Sequence, residues 1–376
     1  MRFFIVQSFY DMFVRPFYAS QPELRRKPYA EQMAVLYDTY FGISNFYERH
    51  LHEDGHEAMT VVANCRPAQY AWAAEHGLRV MPDLVAFKRQ WQGRVPFVKR
   101  STRKLLSILV QQARAYKPDV VLILDVAWLP REIVAQLGSA TSLLIGQHAS
   151  PLPTDDRLRE YDALLSSLPH YVEHFKRQGK TAAYLRLAFE PDVVGRLSEG
   201  PPEYDVSHIG GYAIHGDRVQ LLTAIAAEVP LDLWGYRSER LPPNSPIRQR
   251  CHGEVWGLAM HDIRHRSRIC LNRHATWADG YANNLSLYEI TAVGSCLLTD
   301  DKPNMADLFE PDREAVTYSS ADECVEKARY LLDHEGERQA IAHAGRERLL
   351  REHTFRHRTD ELLALVKPWL DGKASR

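Results

Sequence analysis

Short apolar runs, each closed by a polar or turn-forming residue, recur along the chain with helical patterns between them. This alternation constrains the fold more than any single motif. Runs too short for helices and apolar on both faces belong in parallel sheets covered by helices on either side. Phe3–Val6, Met59–Ala63, Val120–Leu124, Ser142–Gly146, Ala163–Ser166 and Ala183–Leu187 form a first series. The stretch Glu190–Glu203, rich in turn formers and charge, interrupts it and reads as a linker. Tyr204–Ile209, Leu231–Trp234, Arg268–Leu271, Ser295–Thr299 and Ala315–Tyr318 form a second series. Among the helices, one places Leu105, Leu106, Leu109, Val110 and Ala113 on one face and stops before Lys117-Pro118. From Ala321 to Leu370 the pattern is helical, broken at His353-Thr354. At 376 residues the chain suits two domains of moderate size. The expected architecture is α/β: two facing Rossmann-like domains, over residues 1–195 and 203–355, with a helix over 356–376 returning to the first.

Composition excludes several function classes. Lys plus Arg (47) nearly balance Asp plus Glu (48), so no field of one sign would gather nucleic acid. Five cysteines make no CxxC pair, which argues against a disulfide framework or zinc knuckle and for a reducing, cytoplasmic setting. The opening Met1–Gln7 is too short an apolar run for a signal peptide. No stretch approaches the roughly 20 apolar residues of a membrane span. A lipid-linked substrate would therefore be met by peripheral membrane contact.

In open parallel sheets, ligands bind beyond the carboxyl ends of strands. In the first series that rule selects the loops Ser8–Arg15, Asn64–Pro67, Asp125–Trp128 and Gln147–Ser150. In the second it selects Gly210–His215, Trp234–Arg237, Asn272–Asn284 and Thr299–Asn304. The loop Asn272–Asn284 is dense in hydrogen-bonding groups and feeds a helix beginning near Leu285, with Asn283 or Asn284 as N-cap. Such a helix end, preceded by Arg273 and His274, suits a diphosphate; an ordinary capped polar loop is the plainer reading. Glu289 falls within the helix's apolar arc, where a carboxylate is costly unless hydrogen-bonded. A ribose diol would satisfy it, as would solvent at the edge of the stripe. Gly210-Gly211 would let a backbone approach a phosphate, or simply make a turn.

In the first domain, His148 and Asp11 stand beyond strand ends, His148 as a donor to a sugar hydroxyl and Asp11 as a general base. Both also read as ordinary loop residues. Phe9, Tyr10, Phe13, Phe17 and Tyr18 offer either a stacking platform for an acceptor sugar or core packing. No GxGxxG follows the first strand, and no P-loop is present. His261 and His265 are four apart on a helix but lack a third ligand and read as a solvated face, so no metal site is expected. The doublets Asp155-Asp156 and Asp300-Asp301 read as solvated loops.

Several ordered stretches carry a resemblance. They are Leu271-Asn272-Arg273-His274, Asn283-Asn284-Leu285-Ser286-Leu287-Tyr288-Glu289 and Gly294-Ser295-Cys296-Leu297-Leu298-Thr299-Asp300. Leu308-Phe309-Glu310-Pro311, Ala344-Gly345-Arg346-Glu347-Arg348 and Glu352-His353-Thr354-Phe355 with Arg358 follow in order. Together they resemble the spore-maturation, CgeB-like group of GT-B glycosyltransferases, akin to glycosyltransferase group 1, over about Tyr204 to Leu363. Before the linker, Ile145–Pro151 is the best match. The resemblance implies a GT-B fold and transfer of a sugar from a nucleoside-diphosphate-sugar, a co-substrate and not a cofactor. The acceptor would be a hydroxyl of a glycan, lipid-linked glycan or small molecule, as in polysaccharide biosynthesis, with no obligatory metal. It implies a ribose role for Glu289. The family's usual arginine on this helix is here Ser286, and the acidic residue many retaining relatives carry near Tyr281 is missing. Retention or inversion stays open, and so do a nucleotide-sugar epimerase and a non-catalytic nucleotide-sugar or glycan-binding protein.

Overall fold

The computed structural model describes residues 1–78, 86–87, 98–99, 103–153, 155–211, 216–275, 278 and 280–374. In the first half, β1 (Arg2–Gln7), β2 (Glu57–Val62), β5 (Val120–Ile123), β6 (Leu143–Gln147), β7 (Ala163–Ser166) and β8 (Thr181–Tyr184) form one sheet, while β3 (Ala86–Phe87) and β4 (Val98–Lys99) make a separate antiparallel ribbon. The second half holds β9 (Tyr204–Ile209), β10 (Leu231–Trp234), β11 (Ser267–Asn272), β12 (Cys296–Asp300) and β13 (Val316–Tyr318). The sheet orders are β2-β1-β5-β6-β7-β8 and β10-β9-β11-β12-β13, and all pairings within these two sheets are parallel.

Both sheets follow one winding rule. Counted from its own first strand, each runs 2-1-3-4-5, with β8 added in the first. The winding direction reverses between strands 1 and 3, and a crevice opens beyond their carboxyl ends. These switch points fall at β1/β5 and at β9/β11.

The apolar runs are strands because both faces are covered. Phe4 and Val6 of β1 pack with Leu106 and Leu109 of the helix Arg103–Tyr116 on one face. Phe3 and Ile5 pack on the other with Phe355, Leu362 and Val366 of the helix Phe355–Ala374, as a period of two requires. β8 lies at Thr181–Tyr184 and not at Ala183–Leu187 because it is a part-exposed edge strand, so the apolar Leu185 just beyond it misleads the sequence cue.

The chain crosses between the halves twice, and the crossings lie side by side. Phe189 N–H donates to His353 O at 3.0 Å and Phe355 N–H donates to Phe189 O at 3.1 Å. From there the last helix returns to the first half, where Phe46 and Phe355 rings are 4.9 Å apart and Arg356 pairs with Asp54. The segment that reads as a polar linker begins with a buried anchor: Glu190 is 2% exposed and its Oε2 lies 2.7 Å from His50 Nε2. The helix of His261 and His265 is not a solvated face. His261 is buried edge-on against Phe189, and burial pushes its pKa down to about 4.

Candidate active site

The two switch points face each other across a cleft of about 510 Å³, a volume suited to a small-molecule ligand. The first wall is Gln7 at the end of β1 with Ser8 and Tyr10 beyond it, Leu124 and Asp125 beyond β5, and Phe41–Ile43. The second is His208–Gly211 at the end of β9, Asn272 and Arg273 at the end of β11, Arg218, Tyr236, Trp256, Arg264, Asn284–Ser286 and Glu289. Loops beyond β2, β6 and β12 are not in the lining among the described residues, because those strands lie away from the reversal of winding. Tyr212–His215, Thr276, Trp277 and Asp279 of the selected loops lie outside the described residues.

On the second wall the backbone must come close. A Cβ on Gly211 would lie 2.4 Å from the Tyr236 ring, and one on Gly210 would lie 3.1 Å from His208 Nε2. Glycine leaves room there for the Tyr236 and His208 rings. His208 donates from Nδ1 to Leu271 O at 2.9 Å, so Nε2 is the acceptor nitrogen. Burial, aided by the Arg218 guanidinium, pushes its pKa down to about 3 and keeps the ring neutral.

The helix Leu285–Ala292 opens into the cleft. Asn284 caps it, its Oδ1 accepting Leu287 N–H at 3.2 Å while its Nδ2 donates to Asn272 Oδ1 at 3.0 Å. One side chain thus ties the end of β11 to the helix start and orients the backbone N–H groups of Leu285 and Ser286. Arg218 braces the same wall, donating to Gly211 O and Arg273 O at 3.3 Å each. Three guanidinium groups and a helix N-terminus therefore share one wall, an arrangement for an anion.

Glu289 is 6% exposed. Its Oε2 accepts from Arg264 Nη1, and Arg264 Nη2 donates to Ser286 Oγ at 3.0 Å. The structure thus answers the sequence question of what satisfies this carboxylate: a buried arginine takes one oxygen. Among the described residues no hydrogen bond reaches Oε1.

Four sequence-selected residues are absent from the described lining, for physical reasons. His274 is 3% exposed because its backbone N–H and Nδ1 both engage Asp300 Oδ1 at 2.8 Å, which anchors the loop. Asp300 is accordingly buried at the end of β12, not solvated; burial raises its pKa, but the His274 contacts and Lys302 outweigh this and hold it well below the usual range. Asn283 is buried and precedes the cap. His148 lies beyond β6, one strand from the switch point, and is 1% exposed. Asp11 starts the helix Asp11–Ser20 and turns outward to Arg15, its side chain 67% exposed.

Of the aromatic-rich start, Phe9, Phe13 and Tyr18 are core, Phe9 also reaching the cleft lining, whereas Tyr10 is 61% exposed and lines the cleft. Arg218, Arg264 and His208 were not singled out by sequence, and Asp125 was placed in a selected loop without a role of its own. The usable signals were a polar residue ending a strand (Asp125) and an arginine on the same helix stripe as Leu258 and His261 (Arg264).

Solved structures superpose over nearly the whole chain. Sucrose-phosphate synthase of Thermosynechococcus elongatus matches with a TM-score of 0.59 at 10% identity, covering 99% of this chain and 100% of its own. HepE of Anabaena in complex with UDP-glucose gives 0.58 at 9%, covering 98% and 100%. The fold is GT-B. A glycosyltransferase of Rickettsia africae gives 0.60 at 9%, covering 98% of each chain. Residues 218–364 match the family model described as glycosyl transferase-like, a span that includes much of the second wall of the cleft. No curated protein matches the sequence. Among the described residues, no three His, Cys, Asp or Glu side chains converge as metal ligands, and no helix is long and apolar enough to cross a membrane.

Proposed function

We propose that the chain is a metal-independent glycosyltransferase of the CgeB-like group, working in the cytoplasm on a glycan or lipid-linked hydroxyl acceptor. Residues 1–195 would form the acceptor domain and 203–355 the nucleotide-sugar domain, with 356–376 returning to the first. One observation carries the reading. The second wall joins a capped helix N-terminus and three arginines to a buried carboxylate, the complement of a nucleoside diphosphate. The diphosphate lies against Leu285 and Ser286 N–H, Arg218, Arg264 and Arg273, with Gly210-Gly211 allowing close backbone approach. The ribose diol donates to Glu289 Oε1. Fixed positive groups meet the charge on the departing diphosphate, which is the work a metal ion does elsewhere. The likeness to HepE, solved with UDP-glucose, supports a donor of this class.

The test is calorimetric binding of UDP, GDP, dTDP, CDP and ADP, with and without EDTA, to wild type and Glu289→Ala. One diphosphate should bind with EDTA present. The variant should weaken it by about 10- to 100-fold, the worth of a hydrogen bond to a charged group. Unchanged binding by the variant removes the ribose assignment; loss of binding in EDTA removes metal independence.

A further inference from the structure

We propose that Asp125 is the base that takes the acceptor's hydroxyl proton, that His148 positions it, and that transfer therefore inverts the anomeric centre. The assignment rests on the glycosyltransferase reading above and adds a catalytic residue and a stereochemical outcome to it.

Asp125 follows β5 at the first switch point and lines the cleft with its side chain 47% exposed. It stands on the wall opposite the three arginines. Its Oδ1 accepts Ala127 N–H at 2.9 Å, which fixes the carboxylate in its turn. Among the described residues no hydrogen bond reaches Oδ2.

Behind it, His148 is enclosed. Its N–H donates to Leu165 O at 2.9 Å, its carbonyl accepts Ser166 Oγ–H at 2.7 Å, and its ring lies parallel to Tyr171. Nε2 donates to Pro151 O at 3.2 Å, and a carbonyl can only accept, so that nitrogen carries a proton. Nδ1 is buried without a hydrogen-bond partner, 3.8 Å from Asp125 Oδ1. A buried nitrogen left in this state is costly. The arrangement makes chemical sense if a proton arrives: once the carboxylate is protonated, a shift of under about 1 Å brings Nδ1 into hydrogen-bond range as its acceptor. The groups facing Asp125 are His148, Arg157, Tyr161 and, from the helix start beyond β1, Tyr10. Burial raises the Asp125 pKa, but Ala127 N–H and the Arg157 guanidinium pull it down, so the carboxylate is ionised and ready.

In the step, Asp125 takes the acceptor O–H proton and the freed oxygen pair forms the bond to the anomeric carbon. The bond from that carbon to the β-phosphate oxygen breaks, its pair leaving with the diphosphate toward the arginines. With base and leaving group on opposite walls, displacement is in line and inverts.

Water serves as the acceptor in the test. The full chain is incubated with α-linked UDP-glucose, UDP-galactose, UDP-N-acetylglucosamine, GDP-mannose and dTDP-glucose, and the released sugar is followed by proton NMR before mutarotation. The first anomer should be β. Asp125→Asn, which keeps the Ala127 contact, should lower kcat at least 100-fold with wild-type melting and nucleotide affinity, and abolish the acid limb of the pH profile. His148→Gln, still able to donate to Pro151 O, should move that limb to lower pH, because the acceptor that steadies the protonated carboxyl is lost, a shift that a merely structural role would not produce. An α product, Asp125→Asn within threefold of wild type, or a bound donor that is never hydrolysed overturns the assignment. Failure of every diphosphate to bind instead overturns the donor-site reading, and this assignment with it.

Discussion

At the residue level, Arg264 and Glu289 form a buried charge pair in the cleft wall. Both are almost fully buried, and Arg264 also reaches Ser286 Oγ, at the position where the resembled family carries an arginine. A guanidinium thus enters the same corner from a different helix. Burying the pair has a large desolvation cost, and removing one partner leaves the other charge stranded. Arg264→Met should therefore destabilise by about 3–5 kcal/mol. Arg264→Met/Glu289→Met should regain most of that stability without regaining nucleotide binding. Denaturant melts together with calorimetry separate the two effects; a double variant no more stable than the single one would show that the pair matters only for packing. Glu289 could be found from sequence because a carboxylate on an apolar arc is conspicuous. The pairing itself could not, since Arg264 lies 25 residues away on another helix.

At the level of elements, the double crossing between the halves is built from pieces with no chemical signature in sequence. Phe189 and His353–Phe355 pair as a short parallel bridge, and Glu190 is locked to His50, which also meets Glu53 at 2.8 Å. Burial lowers the His50 pKa, but the two carboxylates outweigh it and raise it above its ordinary value near 6.5. A raised folded-state pKa contributes stability that is complete below the unfolded value and is lost as pH rises through the folded one. The melting temperature should thus fall from about pH 6 upward by an increment that His50→Gln removes; parallel melting curves for the two proteins count against the clamp. The HTF motif behind the family resemblance belongs to this same crossing, with His353 Nε2 held by Leu308 O at 2.9 Å. Part of what makes the sequence recognisable is architecture, not chemistry.

For the whole molecule, the decisive contact is where the halves meet at the rim of the cleft. Leu258 N–H donates to Thr39 O at 2.8 Å, and Trp256 packs edge-on against Tyr10 and Phe41. Gly257 permits this at φ 58°; a Cβ there would lie 2.3 Å from Thr39 O. Gly257→Ala should cost about 2 kcal/mol through backbone strain and steric conflict and hold the halves apart. Small-angle scattering should give a larger radius of gyration with a weakened response to nucleotide, whereas an unchanged radius means the rim does not set closure. The sequence by itself determined the two α/β series, the strand positions to within a few residues, the capped helix and the place of Glu289 on that helix's apolar arc, because hydrophobic period, caps and a misplaced charge are local properties. Only the tertiary structure decided which strand ends face one another. Asp125 and Arg218 enter the cleft, and Asp11, His148, Asn283 and His274 leave its lining, because sheet order and helix docking place the switch points, and neither is written in any one segment.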